Sequence, residues 1–142
     1  MTQEDKKLLI KDLCARLPYG IKAGTTDNDD SLENVWDILW YNTFANNVGL
    51  MHCIEDDCKL IDISEVKPYL LPLSSMTEEQ KKEYNILRGD APIYHYEFGN
   101  IVDDMESYDN WGSIDYLNAN HFDYRGLIEK GLAIDATGLN IY

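Results

Sequence analysis

The chain has 142 residues and carries 26 Asp and Glu against 12 Lys and Arg, a formal net charge of -14. This length suits one domain that buries about 70% of the surface exposed in the unfolded chain, without a metal or disulfides. Hydrophobic residues make up 44% and aromatic residues 11%, which excludes a disordered acidic tail. The charge disfavours direct binding to DNA, RNA or anionic membranes, because proteins bind those polyanions through Lys and Arg.

Targeting signals are not found in the sequence. It has no run of 18 apolar residues and no apolar leader, so we expect neither a membrane span nor export. Three cysteines at unrelated spacings, Cys14, Cys53 and Cys58, fit a reducing compartment better than a disulfide framework. The sequence therefore predicts a cytoplasmic protein.

The first expected element is a helix. Thr2 and Asp5 have the spacing of a capping box, and an apolar stripe follows at Leu9, Leu13 and Leu17. The helix should end near Arg16, because a residue that precedes proline, here Leu17, is pushed out of the helical region.

Residues 19–73 predict a β-rich part. Short pieces rich in Val, Ile, Trp and Tyr alternate with turn-forming Gly, Asn and Asp, which places strands at 19–23, 35–42, 48–53 and 58–63. Residues 63–72 should turn once and leave extended, since two prolines block a helix there. Four to five strands of this kind favour a small antiparallel β-barrel-like sheet with Trp36 or Trp40 buried.

Two helices are expected after the sheet. Thr77 and Gln80 form a second capping box, and good helix formers continue to Arg88 before Gly89. A third helix is expected at 113–120, followed by a turn at 126–128 and a strand-like 132–134. The prediction is a single α+β domain over 1–142, with a helix in 1–18, the β-rich part in 19–73 and a helical, irregular acidic part with two C-terminal helices in 74–142.

Several phrases resemble an uncharacterised family of short acidic proteins from intestinal anaerobic bacteria, their phages and mobile elements. The phrases are EDKK at 4–7, DLCARLPYG at 12–20, VKPYL at 66–70 with Pro72, SSMTEE at 74–79, YLN at 116–118 and HFDYRGLI at 121–128. Residues 24–61 and 89–110 do not match. The resemblance implies phage or mobile-element ancestry and a cytosolic site of action, and it implies no reaction.

Two clusters have metal-ligand chemistry but poor spacing. An EF-hand loop starting at Asp27 would need Gly and Glu at positions six and twelve, which are Leu32 and Ile38. Cys53 and Cys58 form one C-x4-C pair, whereas structural zinc usually has two close pairs. We therefore expect no metal and no cofactor, and we expect the two cysteines to face each other across a hairpin.

The candidate catalytic residues are His121, Asp123 and Arg125. They offer an imidazole, a carboxylate and a guanidinium within five residues, without a nucleophile motif or phosphate-binding loop anywhere in the chain. The structural alternative is that His121 and Asp123 cap the end of the third helix while Arg125 pairs with a nearby carboxylate. The corresponding function would be a small-molecule or nucleotide-handling enzyme.

The acid distribution favours a different function. Residues 24–66 and 89–124 together contain 18 of the 26 acids and one base, Lys59. If these segments share a face, they could bind a basic surface of a host or phage protein, as a nucleic-acid mimic or an inhibitor. We therefore expect a non-enzymatic interaction protein with a protein partner, and no oligomeric state follows from the sequence. The expected binding residues are Asp29, Asp30, Asp103, Asp104, Glu106 and Asp109.

Overall fold

The computed structural model describes residues 1–25, 35–42, 45, 47–52, 58–88 and 111–142, with only the backbone described for Met51, His52 and Trp111. Helix α1 spans Gln3–Arg16 and begins with the expected capping box. The Thr2 hydroxyl accepts from the Asp5 backbone N–H at 3.1 Å, and the Asp5 carboxylate accepts from the Thr2 N–H at 3.1 Å. The helix is followed by a 3-10 turn, Leu17–Tyr19, and by Gly20 at a φ of 71°.

Seven strands in the described part of the chain form one mixed sheet. In chain order they are β1 (Lys22–Thr25), β2 (Trp36–Asn42), β3 (Asn47–His52), β4 (Cys58–Asp62), β5 (Val66–Pro72), β6 (Phe122–Asp123) and β7 (Ile134–Asp135). The order across the sheet is β4-β3-β2-β1-β5-β6, and β7 also pairs with β5. All pairings among β1 to β5 are antiparallel, whereas β6 and β7 both run parallel to β5.

The predicted α+β class is confirmed, and the β-barrel-like sheet of four to five antiparallel strands is wrong. The sheet is open, because β4 and β6 stand at opposite ends of the strand order and do not pair with each other. Two short strands from the last quarter of the chain add to β5 in parallel, and a hairpin pattern carries no signal for such long-range pairing.

Both expected later helices are present among the described residues. Helix α2 spans Glu78–Arg88 and begins with the Thr77 and Gln80 capping box, and α3 spans Trp111–Ala119. Of the described helices, α3 alone lies in the C-terminal part, since α2 lies in the middle of the chain, so the expectation of two C-terminal helices is corrected to one.

The main core lies between α1 and one face of the sheet. Leu9 and Leu13 of α1 are fully buried and belong to the same cluster as inward-facing residues of all five long strands, which include Ala23, Ile38, Leu50, Ile61 and Leu70. A second cluster joins α2 and α3 through Tyr84, Leu117 and Phe122. The expected burial of Trp36 or Trp40 is wrong: Trp36 is half-buried at the core edge, and Trp40 is 42% exposed on the opposite sheet face.

Candidate functional site

The predicted cluster at residues 121–125 meets a buried ion pair that the sequence analysis missed. Asp12 and Arg16 lie one turn apart on α1 and are both fully buried. The Arg16 guanidinium donates two hydrogen bonds to the Asp12 carboxylate, from Nε at 2.7 Å and from Nη2 at 3.0 Å. Such a bidentate pair compensates both charges where water cannot reach them.

Arg16 also ties α1 to the C-terminal part of the chain. Its Nη2 donates to the Phe122 carbonyl oxygen at 2.7 Å, and its Nη1 donates to the Leu117 carbonyl oxygen at 3.4 Å. The two acceptors are backbone groups at the end of α3 and on β6. Arg16 therefore joins residues more than 100 positions apart, and its donors are used within the fold.

Arg125 belongs to the same site. Its Nε lies 3.4 Å from Asp12 Oδ1, and its Nη2 donates to the Tyr124 hydroxyl at 2.9 Å. The Tyr124 hydroxyl in turn donates to Asn118 Oδ1 at 3.0 Å. Both guanidinium groups lie over the Tyr124 ring, Arg16 at 5.4 Å and Arg125 at 4.6 Å from the centroid. Among the described residues, the carboxylate that meets Arg125 is therefore Asp12 on α1.

Asp123 organises the turn that follows it. Its Oδ1 accepts from the backbone N–H groups of Arg125 and Leu127 at 3.3 and 3.0 Å, and its Oδ2 accepts from that of Ile128 at 2.8 Å. Asp123 is 8% exposed. The expected structural role of Asp123, capping the end of the third helix, is therefore corrected. Asp123 caps the turn after β6, and both of its carboxylate oxygens accept backbone hydrogen bonds there.

His121 occupies the left-handed position after α3. Its φ is 57°, its N–H donates to the Asn118 carbonyl oxygen at 3.1 Å, and its carbonyl accepts from the Leu71 N–H at 2.9 Å. Burial, together with the positive charges of Arg16 and Lys22, lowers the pKa of His121 to about 4. The imidazole is therefore neutral at physiological pH, and its buried Nδ1 has no hydrogen-bond partner among the described residues.

Tyr142 covers the His121 ring. The two rings stack with centroids 3.7 Å apart and planes 10° apart. The Tyr142 hydroxyl donates to the Tyr69 carbonyl oxygen at 2.8 Å and accepts from the Lys22 N–H at 3.2 Å. Burial raises the pKa of Tyr142 to about 12, so the hydroxyl keeps its proton. This contact fixes the end of the described chain against β1 and β5.

One sequence signal for the missed pair exists. On a helix, positions 9, 12, 13 and 16 follow i, i+3, i+4 and i+7, so Asp12 and Arg16 share the apolar stripe of Leu9 and Leu13. Opposite charges at i, i+4 on such a stripe indicate a buried pair. No comparable signal links His121 with Tyr142, because a stacking contact between distant residues leaves no local pattern.

The chemistry available to the cluster is limited by these contacts. Asp123 and Arg125 have structural partners, and the described residues contain no group of three or more His, Cys, Asp or Glu placed to hold a metal ion. Cys14 and Cys58 are free, exposed thiols, and the facing pair expected for Cys58 involves Cys53, which lies outside the described residues. Catalysis at His121, Asp123 and Arg125 gains no support from this geometry.

The six expected binding residues all lie outside the described residues: Asp29, Asp30, Asp103, Asp104, Glu106 and Asp109. The strands that flank two acid-rich connections are described, however. The first connection, 26–34, leaves β1 and enters β2, and the second, 53–57, leaves β3 and enters β4. Ala23 pairs with Trp36, Trp36 with His52, and Met51 with Cys58, so all four strand ends lie at the same end of the sheet.

The third acid-rich stretch, 89–110, has different flanks. It is entered from α2 and left through α3, which pack together in the second core cluster beside Leu71 near the far end of β5. The connections with four acids (26–34) and three acids (53–57) therefore have their described flanks at one end of the sheet, whereas the described flanks of 89–110 lie near the far end of β5.

Comparisons with known proteins found no relative: no family model, no curated protein and no solved structure matches the chain. None of the described helices is long and apolar enough to cross a membrane.

Proposed function

We propose that this chain is a small, non-enzymatic, cytosolic interaction protein whose acidic connections bind a basic surface of another protein. The observation that carries the proposal is the common end of β1 to β4, to which the connections 26–34 and 53–57 are tethered. Those connections contain seven acids and no base. Seven carboxylates in connections that are tethered to one end of the sheet would create an electrostatic field there. Such a field attracts a basic partner and accelerates its association.

Host or phage proteins that bind nucleic acid are the expected partners, and the chain would act on them as a nucleic-acid mimic or an inhibitor. Such proteins present Lys and Arg in grooves that fit phosphates, and clustered carboxylates satisfy the same groups. Phage or mobile-element origin rests on the resemblance of the sequence phrases alone. The acids at 103, 104, 106 and 109 belong to the proposal as a second patch.

The test is a binding measurement on two charge-neutralised variants. The first removes charge from the connection 26–34 by Asp29→Asn with Asp30→Asn, and the second removes charge from the stretch 89–110 by Asp103→Asn, Asp104→Asn and Glu106→Gln. A matched control, Glu78→Gln with Glu79→Gln, removes two charges from the exposed start of α2.

The partner is first isolated by affinity capture at low salt and then used purified. We expect the two patch variants to lower the association rate, with little change in the dissociation rate, and the control to have no effect. Rising ionic strength should produce the same slowing, because the Debye length falls from about 30 Å at 0.01 M to about 8 Å at 0.15 M. A partner that binds all variants equally at every salt concentration would contradict the proposal.

A further inference from the structure

Tyr142 lies in a slot whose walls come from three separate parts of the chain. Its ring stacks on the His121 imidazole with a centroid distance of 3.7 Å. Its hydroxyl accepts from the Lys22 backbone N–H at 3.2 Å and donates to the Tyr69 carbonyl oxygen at 2.8 Å. We call the His121 ring, the Lys22 N–H and the Tyr69 carbonyl group the tyrosine slot.

The hydroxyl of Tyr142 takes the place of a direct hydrogen bond between two strands. Strands β1 and β5 are antiparallel, and Ala23 pairs with Pro68. One step further, the same register would pair Lys22 with Tyr69, so that the N–H of Lys22 would donate to the carbonyl of Tyr69. The hydroxyl lies between these two groups and satisfies both. The slot therefore offers one backbone donor and one backbone acceptor, separated by the space of one hydroxyl group.

These groups select an uncharged phenol. One hydroxyl can accept from the Lys22 N–H and donate to the Tyr69 carbonyl at the same time, whereas a phenolate has no proton for the carbonyl. Burial raises the pKa of Tyr142 to about 12, so the slot favours the protonated form. The buried His121 ring supplies a flat surface for stacking. An aromatic ring without a hydroxyl would leave both backbone groups unpaired, which is unfavourable.

The segment that carries Tyr142 has few described contacts besides those of the tyrosine itself. Residues 137–140 are exposed, and the described hydrogen bonds of Thr137 and Leu139 go to groups two and three residues earlier. The preceding anchor to the sheet is Ala136, whose N–H donates to a carbonyl of β5 at 2.8 Å. Tyr142 is 46% exposed, so solvent reaches its ring. An external molecule can therefore compete with Tyr142 without unfolding the sheet.

We propose that the tyrosine slot is a binding site for an uncharged phenol from outside the chain, and that Tyr142 occupies it as a displaceable internal ligand. A free small phenol and a tyrosine side chain of another molecule share the chemistry that the slot recognises. The slot lies at the Lys22 end of β1, whereas the acidic connection 26–34 leaves the Thr25 end. The proposed function and this site are therefore independent of each other.

The probe is para-cresol, which is the tyrosine side chain alone, and toluene is its control without the hydroxyl. Three proteins are compared by calorimetric titration: the original chain, Tyr142→Phe, which keeps the ring, and Tyr142→Ala, which empties the slot. The affinity for para-cresol should rise in this order by about tenfold at each step, because a weaker internal competitor leaves more slots vacant. Toluene should bind Tyr142→Ala about tenfold more weakly than para-cresol does.

A control variant removes a tyrosine hydroxyl elsewhere. Tyr116→Phe, on α3, loses the hydroxyl that contacts Glu83 on α2, and it should bind para-cresol as the original chain does. Displacement is measured by NMR on protein with isotope-labelled tyrosine. The Tyr142 resonances, identified by their absence in Tyr142→Phe, should move to the positions of a solvent-exposed tyrosine when para-cresol saturates the original chain.

A peptide with the sequence of residues 137–142 distinguishes the two sources of the phenol. If it binds Tyr142→Ala about tenfold more tightly than para-cresol does, the site is assigned to a tyrosine presented by a protein segment, because the flanking residues then add affinity. If the two bind equally, the site is assigned to a free phenol. Either result supports the site.

Three results would overturn the proposal. The first is equal affinity for para-cresol and toluene in the variants. The second is binding to Tyr142→Ala alone, since this would mean an engineered cavity and no displacement in the original chain. The third is that para-cresol binds the original chain while the Tyr142 resonances stay in place, because the ligand would then lie elsewhere. Tyr142→Phe retains the aromatic ring, so its comparison with the original chain decides even if Tyr142→Ala does not fold.

Discussion

One buried arginine, one partly buried arginine and one buried carboxylate form a charge network between α1 and the C-terminal part of the chain. Asp12 meets both Arg16 and Arg125, and both guanidinium groups lie over the Tyr124 ring. Removing one member of a buried charge network leaves the others with uncompensated charge, which costs more than the pair itself contributes. The stability of the fold should therefore depend on these residues more than on any exposed ion pair.

Arg125→Ala tests whether this arginine serves structure or catalysis. We expect the free energy of unfolding to fall by about 1 to 3 kcal/mol, because the side chain is 11% exposed and contacts a fully buried Asp12. Lys82→Ala, at an exposed position on α2, is the control and should change stability by less than about 0.5 kcal/mol. Chemical denaturation measures both. Unchanged stability with complete loss of the biological phenotype would favour the enzyme hypothesis instead.

His121 gives the protein a specific acid sensitivity. The folded imidazole titrates near pH 4 and an ordinary one near 6.5, so the unfolded chain binds more protons between these values. The contribution of His121 to the free energy of unfolding is fully present above pH 6.5. It should decline by up to about 3 kcal/mol as the pH falls toward 4. His121→Asn tolerates the left-handed backbone and lacks the titrating ring, so it isolates this contribution.

Urea denaturation from pH 4 to 7 provides the measurement. The variant should be less stable at pH 7, because it lacks the stack on Tyr142, yet its stability should fall less steeply with acid than that of the original chain. Carboxylates with lowered pKa, such as Asp5 and Asp62, contribute equally to both proteins. Parallel pH profiles would show that His121 is not the titrating group.

Asp123 stabilises the turn after β6, because its carboxylate accepts hydrogen bonds from three backbone N–H groups of that turn. Asp123→Ala should lower the free energy of unfolding by about 2 to 4 kcal/mol, since three backbone N–H groups lose their acceptor. Asp123→Asn keeps one acceptor oxygen and should fall between Ala and Asp. Thermal unfolding gives the order of the three proteins. An Asn variant as destabilised as the Ala variant would show that the charge matters more than the geometry of the bonds.

Local signals predicted the helices and most of the strands, and they did not predict the strand pairings that depend on distant partners. Capping boxes at Thr2 and Thr77 located α1 and α2, because each cap is satisfied within four residues. The parallel pairing of Tyr69 with Ile134 and of Leu71 with Phe122 depends on residues more than 50 positions apart. For the same reason, the sequence predicted His121, Asp123 and Arg125 as a cluster. It did not predict that the Asp12 and Arg16 pair on α1 contacts this part of the chain.

For the whole molecule, the sequence predicts folding without metal. The protein purified and dialysed against chelator-free buffer should contain well below one equivalent of zinc or calcium, since the spacings at Asp27 to Glu33 and at Cys53 and Cys58 fit neither ion. Elemental analysis gives the metal content. About one equivalent that also raises the melting temperature by mass action would contradict this.

The hydrogen bonds of Arg16 to Leu117 and Phe122 also bear on how fast the chain folds. These contacts span 101 and 106 residues, and β5 takes its parallel neighbours from more than 50 residues further along the chain. The hairpins of β2, β3 and β4 close short loops, whereas the Arg16 contacts close a loop of more than 100 residues, which costs a larger loop-closure entropy. During synthesis, α1 and β1 to β5 emerge first. Asp12 and Arg16 are completely buried only after Leu117 and Phe122 have been synthesised. The ion pair would thus be solvated until the last quarter of the chain arrives, and its desolvation would coincide with the final step of folding.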